Sequence, residues 1–417
     1  MESTRFLQKF THHVHYDKPS NSLPLLTIAI PFIILISNLF MVVLYEQNNT
    51  EKRLKAVAEI YIVTCCLTCI ILRAFRPEEA TQKIIDMIGG ELLEDCRILF
   101  VSDRKRRWGK IYSNYEKKRK DMDRLYQNIK TATSGLYFAY IGRNAFNQLF
   151  EEKSNSEKSW PTLYNYWCPP GYDSFYVFLM LEMLHIYVFS FSLSEAFCFM
   201  LSTCLATERV LADFETIYLL IDEMSENFGE RNFDLSAEKR LDLRNYMALL
   251  VQCHQKLNRN FKYCADYTAF GTLAITFPIS VDTVISIYTM MKASNVKIMA
   301  NYAVACVFVN LIILFCYHNG QKIVNQNDIL RQYLREVPWI DKPQWFKSSL
   351  CIMMRRANID TEMKPYGLFV LNHESFKNFE GRNARGRSRM EYIEQLKKYL
   401  RCARDLKRMA DDREASR

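Results

Sequence analysis

The sequence predicts an all-α protein: a polytopic transmembrane helical bundle with cytosolic helical anchor extensions. Three observations carry this. Six runs, 23–45, 57–75, 131–150, 174–206, 267–291 and 298–317, are apolar over about the 20 residues needed to cross a bilayer core ~30 Å thick. The stretches between them are long and highly charged, which reconciles 49% apolar residues with a mean hydropathy of −0.15. Only 12 Gly and 11 Pro in 417 residues exclude collagen-like and low-complexity chains.

Each run has its own character. Leu23 to Tyr45 carries no charge at all. Val57 to Phe75 keeps Glu59 and Arg73 near its ends, where long side chains are expected to snorkel. Thr131 to Phe150 contains Arg143 and is the least apolar of the set. Ser174 to Ala206 is long and aromatic, so it is expected to tilt or to extend beyond the bilayer. Tyr267 to Met291 and Ile298 to Tyr317 are separated by a few residues around Ser294-Asn295 and form an antiparallel hairpin. The stretch between the fourth and fifth runs, Thr207 to Asp266, repeats Leu241, Leu243, Met247, Leu250, Val251, His254 and Leu257 at helical spacing. Helices there are expected to extend the spans into the cytosol and pack as a compact anchor; separate amphipathic surface helices are the alternative.

Lys and Arg in the loops set the orientation. The segment 76–130 holds 14 of them, including Arg104-Lys105-Arg106-Arg107, while 207–266 and 318–365 hold eight each. The opposite set is poor in them: three in 46–56 and two in 151–173. The basic loops and the N-terminus are therefore expected in the cytosol, in a multi-pass membrane protein. Asn48-Asn49-Thr50 then falls outside, with Asn48 as a glycosylation acceptor. No secretory signal peptide is expected, because the first apolar run begins at Leu23 and lacks a small-residue cleavage site. The 13 Cys form no secreted-type framework, and the one Cys-x-x-Cys, Cys66 to Cys69, lies inside a span, so neither a metal nor a redox centre is expected. Seven scattered His supply no catalytic cluster, and no internal repeat of a transporter is visible.

The block Cys316-Tyr317-His318-Asn319-Gly320-Gln321-Lys322-Ile323 is followed by Tyr333-Leu334-Arg335-Glu336-Val337-Pro338-Trp339, by Met353-Met354-Arg355-Arg356-Ala357, and by Gly367-Leu368-Phe369 through Phe376. In this order these motifs resemble the C-terminal part of insect odorant receptors, seven-span chemoreceptors with a cytosolic N-terminus. The resemblance covers most of the chain in topology, and its specific motifs lie within about Asn310 to Phe376. Asp328 departs from the family, which commonly has Ser there. The larger departure follows Asn378, where the seventh span, begun at Tyr366, gives way to Glu380-Gly381-Arg382 and beyond.

The resemblance implies the odorant-binding subunit of a ligand-gated, non-selective cation channel, assembled with an odorant co-receptor as a heterotetramer. It implies a small volatile organic ligand, no enzyme chemistry, no cofactor and no metal; nucleic acid is not expected as a partner of a membrane-embedded chain. The implied ligand-binding residues are Tyr140, Ile141 and Asn144 of the third span, Phe178, Met183, His185 and Tyr187 of the fourth, and Tyr302 and Cys306 of the sixth. Each of them has an alternative reading as helix-packing surface. Glu182, Glu195, Asp282 and Arg143 are not expected to face lipid, since each charge costs about 2.5–3.5 kcal/mol at the bilayer centre. Glu182 and His185 lie one helical turn apart, placed to meet a polar ligand or an ion path, or else to pair internally.

The chain is accordingly divided into a cytosolic N-terminal segment (1–22), a six-span region (23–317), an anchor segment with the start of a seventh span (318–378) and a basic tail (379–417). The tail opens with Ser388-Arg389-Met390-Glu391, which has the form of a capping box, and continues as a basic amphipathic pattern to Arg408. With 13 Lys and Arg in 377–417 it is expected to stay cytosolic and to leave the last span incomplete, impairing conduction. A gustatory-type chemoreceptor, or a six-span regulatory subunit without its own pore, are the alternatives.

Overall fold

The structure is a computed structural model and describes residues 2–13, 22–46, 50–74, 78–90, 92, 104–150, 163–169, 171–172, 174–228, 237–292, 296–340, 342–359 and 361–379. Among the described residues the regular structure is helical throughout. The helices are α1 (Glu2–His13), α2 (Ser22–Tyr45), α3 (Thr50–Ala74), α4 (Glu78–Gly89), α5 (Arg104–Phe150) and α6 (Phe175–Phe228). They continue as α7 (Ala237–Lys292), α8 (Val296–Glu336), α9 (Gln344–Ala357), a 3-10 turn (Pro365–Gly367) and α10 (His373–Phe379). The chain divides into two compact units, Met1–Leu371 and Asn372–Arg417. Asn48, Arg143's side chain and the tail from residue 380 onward, including the expected helix 388–408, lie outside the described residues.

Four of these helices contain stretches long and apolar enough to cross a membrane: Leu25–Tyr45, Lys52–Ala74, Phe175–Phe228 and Ala237–Met291. The expected third and sixth spans are parts of α5 and α8. Length then explains the rest of the architecture. At 1.5 Å per residue, the 54 residues of α6 and the 56 of α7 each reach about 80 Å, against a ~30 Å apolar core. Each therefore projects far beyond a bilayer as an unbroken extension. The fourth apolar run and the helical pattern after it are one rod.

Six hydroxyls within the apolar stretches are satisfied locally. Ser37, Thr68, Ser190, Ser194, Ser280 and Thr289 each donate to the carbonyl four residues earlier, at 2.6 to 2.8 Å. Such back-bonding removes the cost of an unpaired polar group in lipid. Helices α2 and α3 form a hairpin whose inner face, including Phe32, Leu35, Leu39, Val63 and Ile70, is buried together with Val188 of α6. Ile30, Ile33, Ile34 and Phe40, on the other side of α2, are exposed. Water would not tolerate such an apolar face, and lipid would.

At the other end, α6, α7, α8 and α9 pack as the anchor. Arg209 Nη2 lies 3.0 Å from Asp213 Oδ1, and Asn260 donates to Asp213 Oδ2 at 2.7 Å, all three residues being buried. The Arg209 guanidinium also lies over the Tyr115 ring of α5 at 5.3 Å. Burial pushes the Asp213 carboxyl above its ordinary range, with Arg209 pulling against it. Burial, then the Asp213 charge, push the Tyr115 phenol up to about 12, so it stays a hydroxyl and accepts from the Leu92 N–H at 3.1 Å. Tyr218 stacks on Tyr333 with centroids 4.7 Å apart and donates to the Gln326 carbonyl at 2.6 Å. Asn327 and Arg331 both donate to the Ala357 carbonyl, satisfying the last turn of α9.

The Asn319-Gly320 pair has a steric explanation. Leu371 lies against α8 so closely that a Cβ on Gly320 would stand 2.1 Å from the Leu371 carbonyl oxygen. Asn319, buried, points its amide at Cys204 Sγ, 3.7 Å away. The helix expected to begin at Tyr366 does not form there. Tyr366 (φ 48°) and Gly367 (φ 73°) are both left-handed, and the chain folds back so that the Leu371 N–H donates to the Met363 carbonyl at 2.9 Å. Helix resumes only at His373, within the second unit.

Candidate functional site

The end of the bundle remote from the anchor gathers α2, α3, α6 and the segment 163–168. This segment is held by polar groups that sit inside apolar helices. Asn38 of α2 donates to the Trp167 carbonyl at 2.9 Å and accepts from the Trp167 N–H at 3.1 Å. Glu59 of α3 accepts from the Asn165 N–H at 3.0 Å, and Glu182 of α6 from the Leu163 N–H at 3.2 Å. Trp167 stacks on Tyr45 with centroids 4.8 Å apart. An irregular backbone at membrane depth must have its amides satisfied, and these three side chains do so.

His185 lies directly beneath this segment. Its side chain is fully buried, the Tyr164 ring meets it edge-on at 5.5 Å, and its Nδ1 is 3.5 Å from Glu182 Oε2. Neither ring nitrogen has a hydrogen-bond partner among the described residues. Phe178 is buried two turns away, its ring 6.4 Å from that of Phe175. Phe178, Glu182, His185 and Val188 thus form the inward stripe of α6, at the spacing a helix face requires.

The structure separates the expected ligand-binding residues along that stripe. Phe178 and His185 point inward, whereas Met183 and Tyr187 are on the outward face and exposed. Tyr187 stacks on Phe191 at 6.5 Å. Ile141 of α5 is half-buried, and the side chains of Tyr140 and Asn144 lie outside the described residues. Tyr302 and Cys306 of α8 are half-buried. Asn310 donates to the Cys306 carbonyl at 2.8 Å and lies 3.1 Å from Thr283 Oγ1, tying α8 to α7.

Arg73, Glu195 and Glu59 pair internally rather than snorkel. Arg73 Nη1 lies 2.7 Å from Glu195 Oε2, joining α3 to α6, and its guanidinium stands 6.0 Å from the Phe10 ring of α1. Glu59, expected to snorkel, instead holds the segment 163–168 and lies 3.7 Å from Lys55 Nζ. Sequence reading did not single out Asn38, Asn165 or Trp167. The available signal was Asn38 itself, an amide in the middle of a run with no other strong polar group. No cluster of three His, Cys, Asp or Glu that would hold a metal occurs among the described residues.

A separate cavity of about 320 Å³ lies between α5 and α6, one helical turn and more toward the anchor. It is lined by Lys130, Thr133, Ser134, Tyr137 and Phe138 of α5 and by Ser190, Leu193, Ser194 and Phe197 of α6. Tyr137 and Ser190 hydroxyls are 3.1 Å apart across it. None of the expected ligand-binding residues lines it.

Long apolar helices, an irregular segment tucked into one end and a polar anchor at the other define a multi-pass membrane protein. The family model described as 7tm Odorant receptor matches residues 100–379, and the chain belongs to that family. Two solved structures are similar to it: the insect olfactory receptor OR5 from Machilis hrabei and the same receptor in complex with eugenol. Each is 10% identical and covers 85% of both chains, with TM-scores of 0.62 and 0.61. At that identity the likeness is one of fold. No curated protein matches the chain at the level of sequence.

Proposed function

We propose that the chain is the odorant-binding subunit of a ligand-gated, non-selective cation channel in the plasma membrane of olfactory neurons. It works as a heterotetramer with the odorant co-receptor, its N-terminus in the cytosol. The observation that carries this reading is the family match across the anchor and its adjoining helices. The basic loops favour the orientation, since α4 and the first part of α5, which belong to the basic stretch 76–130, pack on the anchor end of α6.

The ligand site in this reading is the inward face of α6 beneath the segment 163–168. Phe178 and His185 form its α6 wall, and Tyr140, Ile141 and Asn144 of α5 with Tyr302 and Cys306 of α8 are the further candidates by position in the sequence. Met183 and Tyr187 border the site from the lipid side. Apolar and aromatic walls with one unpartnered imidazole suit a small, mostly apolar volatile carrying one or two polar groups. Eugenol, which the similar insect receptor binds, is of that class. Binding and gating need no bond chemistry, no cofactor and no metal.

Co-expression with the co-receptor, and measurement of current evoked by a volatile panel including eugenol, tests the reading. Current that needs both chains, with His185→Leu changing ligand ranking while Met299→Leu does not, is the expected result. Current unaffected by any substitution in Phe178, His185 and Ile141 would overturn the site. A second reading, a six-span regulatory subunit without its own pore, is favoured by the charged sequence that follows Phe379. In that case the chain alters co-receptor current but not its ion selectivity.

A further inference from the structure

The cavity between α5 and α6 has chemistry that an odorant site does not need. We propose that it is a binding site for one anionic phospholipid, with the phosphate at Lys130 and the glycerol esters at Thr133 and Ser134. Lys130, Thr133, Ser134 and Tyr137 recur at helical spacing, so they form one stripe on α5. The stripe begins where the basic stretch 104–130 meets the apolar run, the depth at which headgroup gives way to acyl chain. From Lys130 to Tyr137 the helix rises about 10 Å, the distance from phosphate to the upper acyl chain.

The donors there are free. Lys130 has no acidic partner among the described residues and only rests 5.8 Å from the Tyr126 ring. Thr133 and Ser134 donate to nothing described. By contrast, neighbouring basic side chains are engaged: Lys118 with Glu215, Lys120 with Glu116, Arg124 with Asp121. Tyr137 is already committed to Ser190, whose own proton goes to the Ile186 carbonyl. The upper part of the groove therefore offers no free donor, the Ser194 proton going to the Ser190 carbonyl, and its remaining wall is aromatic and aliphatic. A free ammonium, two free hydroxyls and then an apolar channel open to the bilayer match the order of groups along a phospholipid. A free phosphate would leave the apolar half of the groove unused, so the lipid is the occupant.

The position rests on the membrane-embedded reading of α5 and α6, but lipid retention is read without odorant or current. A failed odorant response therefore leaves this test intact. The full chain is purified from nanodiscs of phosphatidylcholine doped with phosphatidylserine, and native mass spectrometry counts the retained lipids. The expected result is one phosphatidylserine retained in preference to phosphatidylcholine. Lys130→Gln lowers that retention about fivefold. Thr133→Val with Ser134→Ala lowers it further, and Ser194→Phe, which fills the groove while keeping Lys130, abolishes it. Lys117→Gln, an exposed lysine on the same helix outside the groove, leaves it unchanged. Equal retention of both lipids, an unchanged Lys130→Gln, or an equal loss in Lys117→Gln overturns the proposal. So does displacement of the lipid by inorganic phosphate alone. Should Ser194→Phe fail to elute as a monodisperse peak, the Lys130→Gln and Thr133→Val results decide.

Discussion

Lowering the pH from 7 to 5 is predicted to destabilise the anchor through one imidazole. His254 of α7 is buried, and Asn258 donates to its carbonyl at 2.7 Å while lying 3.4 Å from its Nε2. Burial first, and the Arg356 guanidinium second, push this His down from 6.5 to about 4. The native ring thus stays neutral where the unfolded chain already takes up a proton. Its contribution is fully present above about pH 6.5 and is lost as the pH falls toward 4. That loss amounts to about 2 kcal/mol by pH 5 and about 3 kcal/mol once the pH is below 4. For a chain of this size, with unfolding entropy of ~2.1 cal/mol/K per residue, 2 kcal/mol corresponds to about 2 °C in melting temperature. The assay is thermal melting of the purified full chain in an uncharged detergent at pH 7 and 5, beside His254→Gln. Other groups titrate too, so the informative quantity is the difference between the two proteins. Identical pH shifts in wild type and variant would refute the reasoning.

Gly320→Ala is expected to lower stability by about 1–3 kcal/mol, because its Cβ would stand 2.1 Å from the Leu371 backbone carbonyl oxygen and force the backbone to shift. Gly109→Ala, on an open face of α5, is expected to raise it by about 0.5–1 kcal/mol; melting of both variants separates crowding from propensity. A double-mutant cycle on Arg73→Ala and Glu195→Gln should give a coupling of about 1–3 kcal/mol, and additive effects would show that the pair is not joined. In the anchor, Asp213→Asn leaves Arg209 buried and unpaired at a cost of about 3–5 kcal/mol. Arg209→Met with Asp213→Leu should recover most of that, as denaturation of the three variants would report.

The parts of the molecule that were legible in the sequence are those governed by local pattern. An uncharged run such as Leu23 to Tyr45 has one favourable environment, and the spacing of Leu243, Met247, Leu250 and Leu257 specifies a helix face before any partner is known. The family motifs were legible too, and the structure supplies a reason for one of them in the passage of Leu371 over Gly320. What was not legible depends on groups far apart in the chain. Glu59 reads as a snorkelling carboxylate until Asn165 is known to lie above it. Arg73 reads likewise until Glu195, on another helix, is placed beside it. The split of Phe178 and His185 from Met183 and Tyr187 was available in principle from α6's periodicity. An aromatic, apolar run all round hides which stripe faces in. The missing helix start at Tyr366 turns on two left-handed residues, which apolar composition does not reveal.

Helix α6 contains neither Gly nor Pro in its 54 residues, and it carries His185 near one end and the Arg209–Asp213 pair near the other. Its neighbour α7 has Gly271 and Pro278 in its apolar stretch. The two rods therefore differ in mechanical compliance. A torque applied beneath the segment 163–168 is delivered by α6 to the anchor about 40 Å away with little lost to bending. In α7, Pro278 removes one backbone hydrogen bond and Gly271 seats the Phe199 ring of α6, so any bending of the pair is expected to concentrate in α7 rather than in its partner.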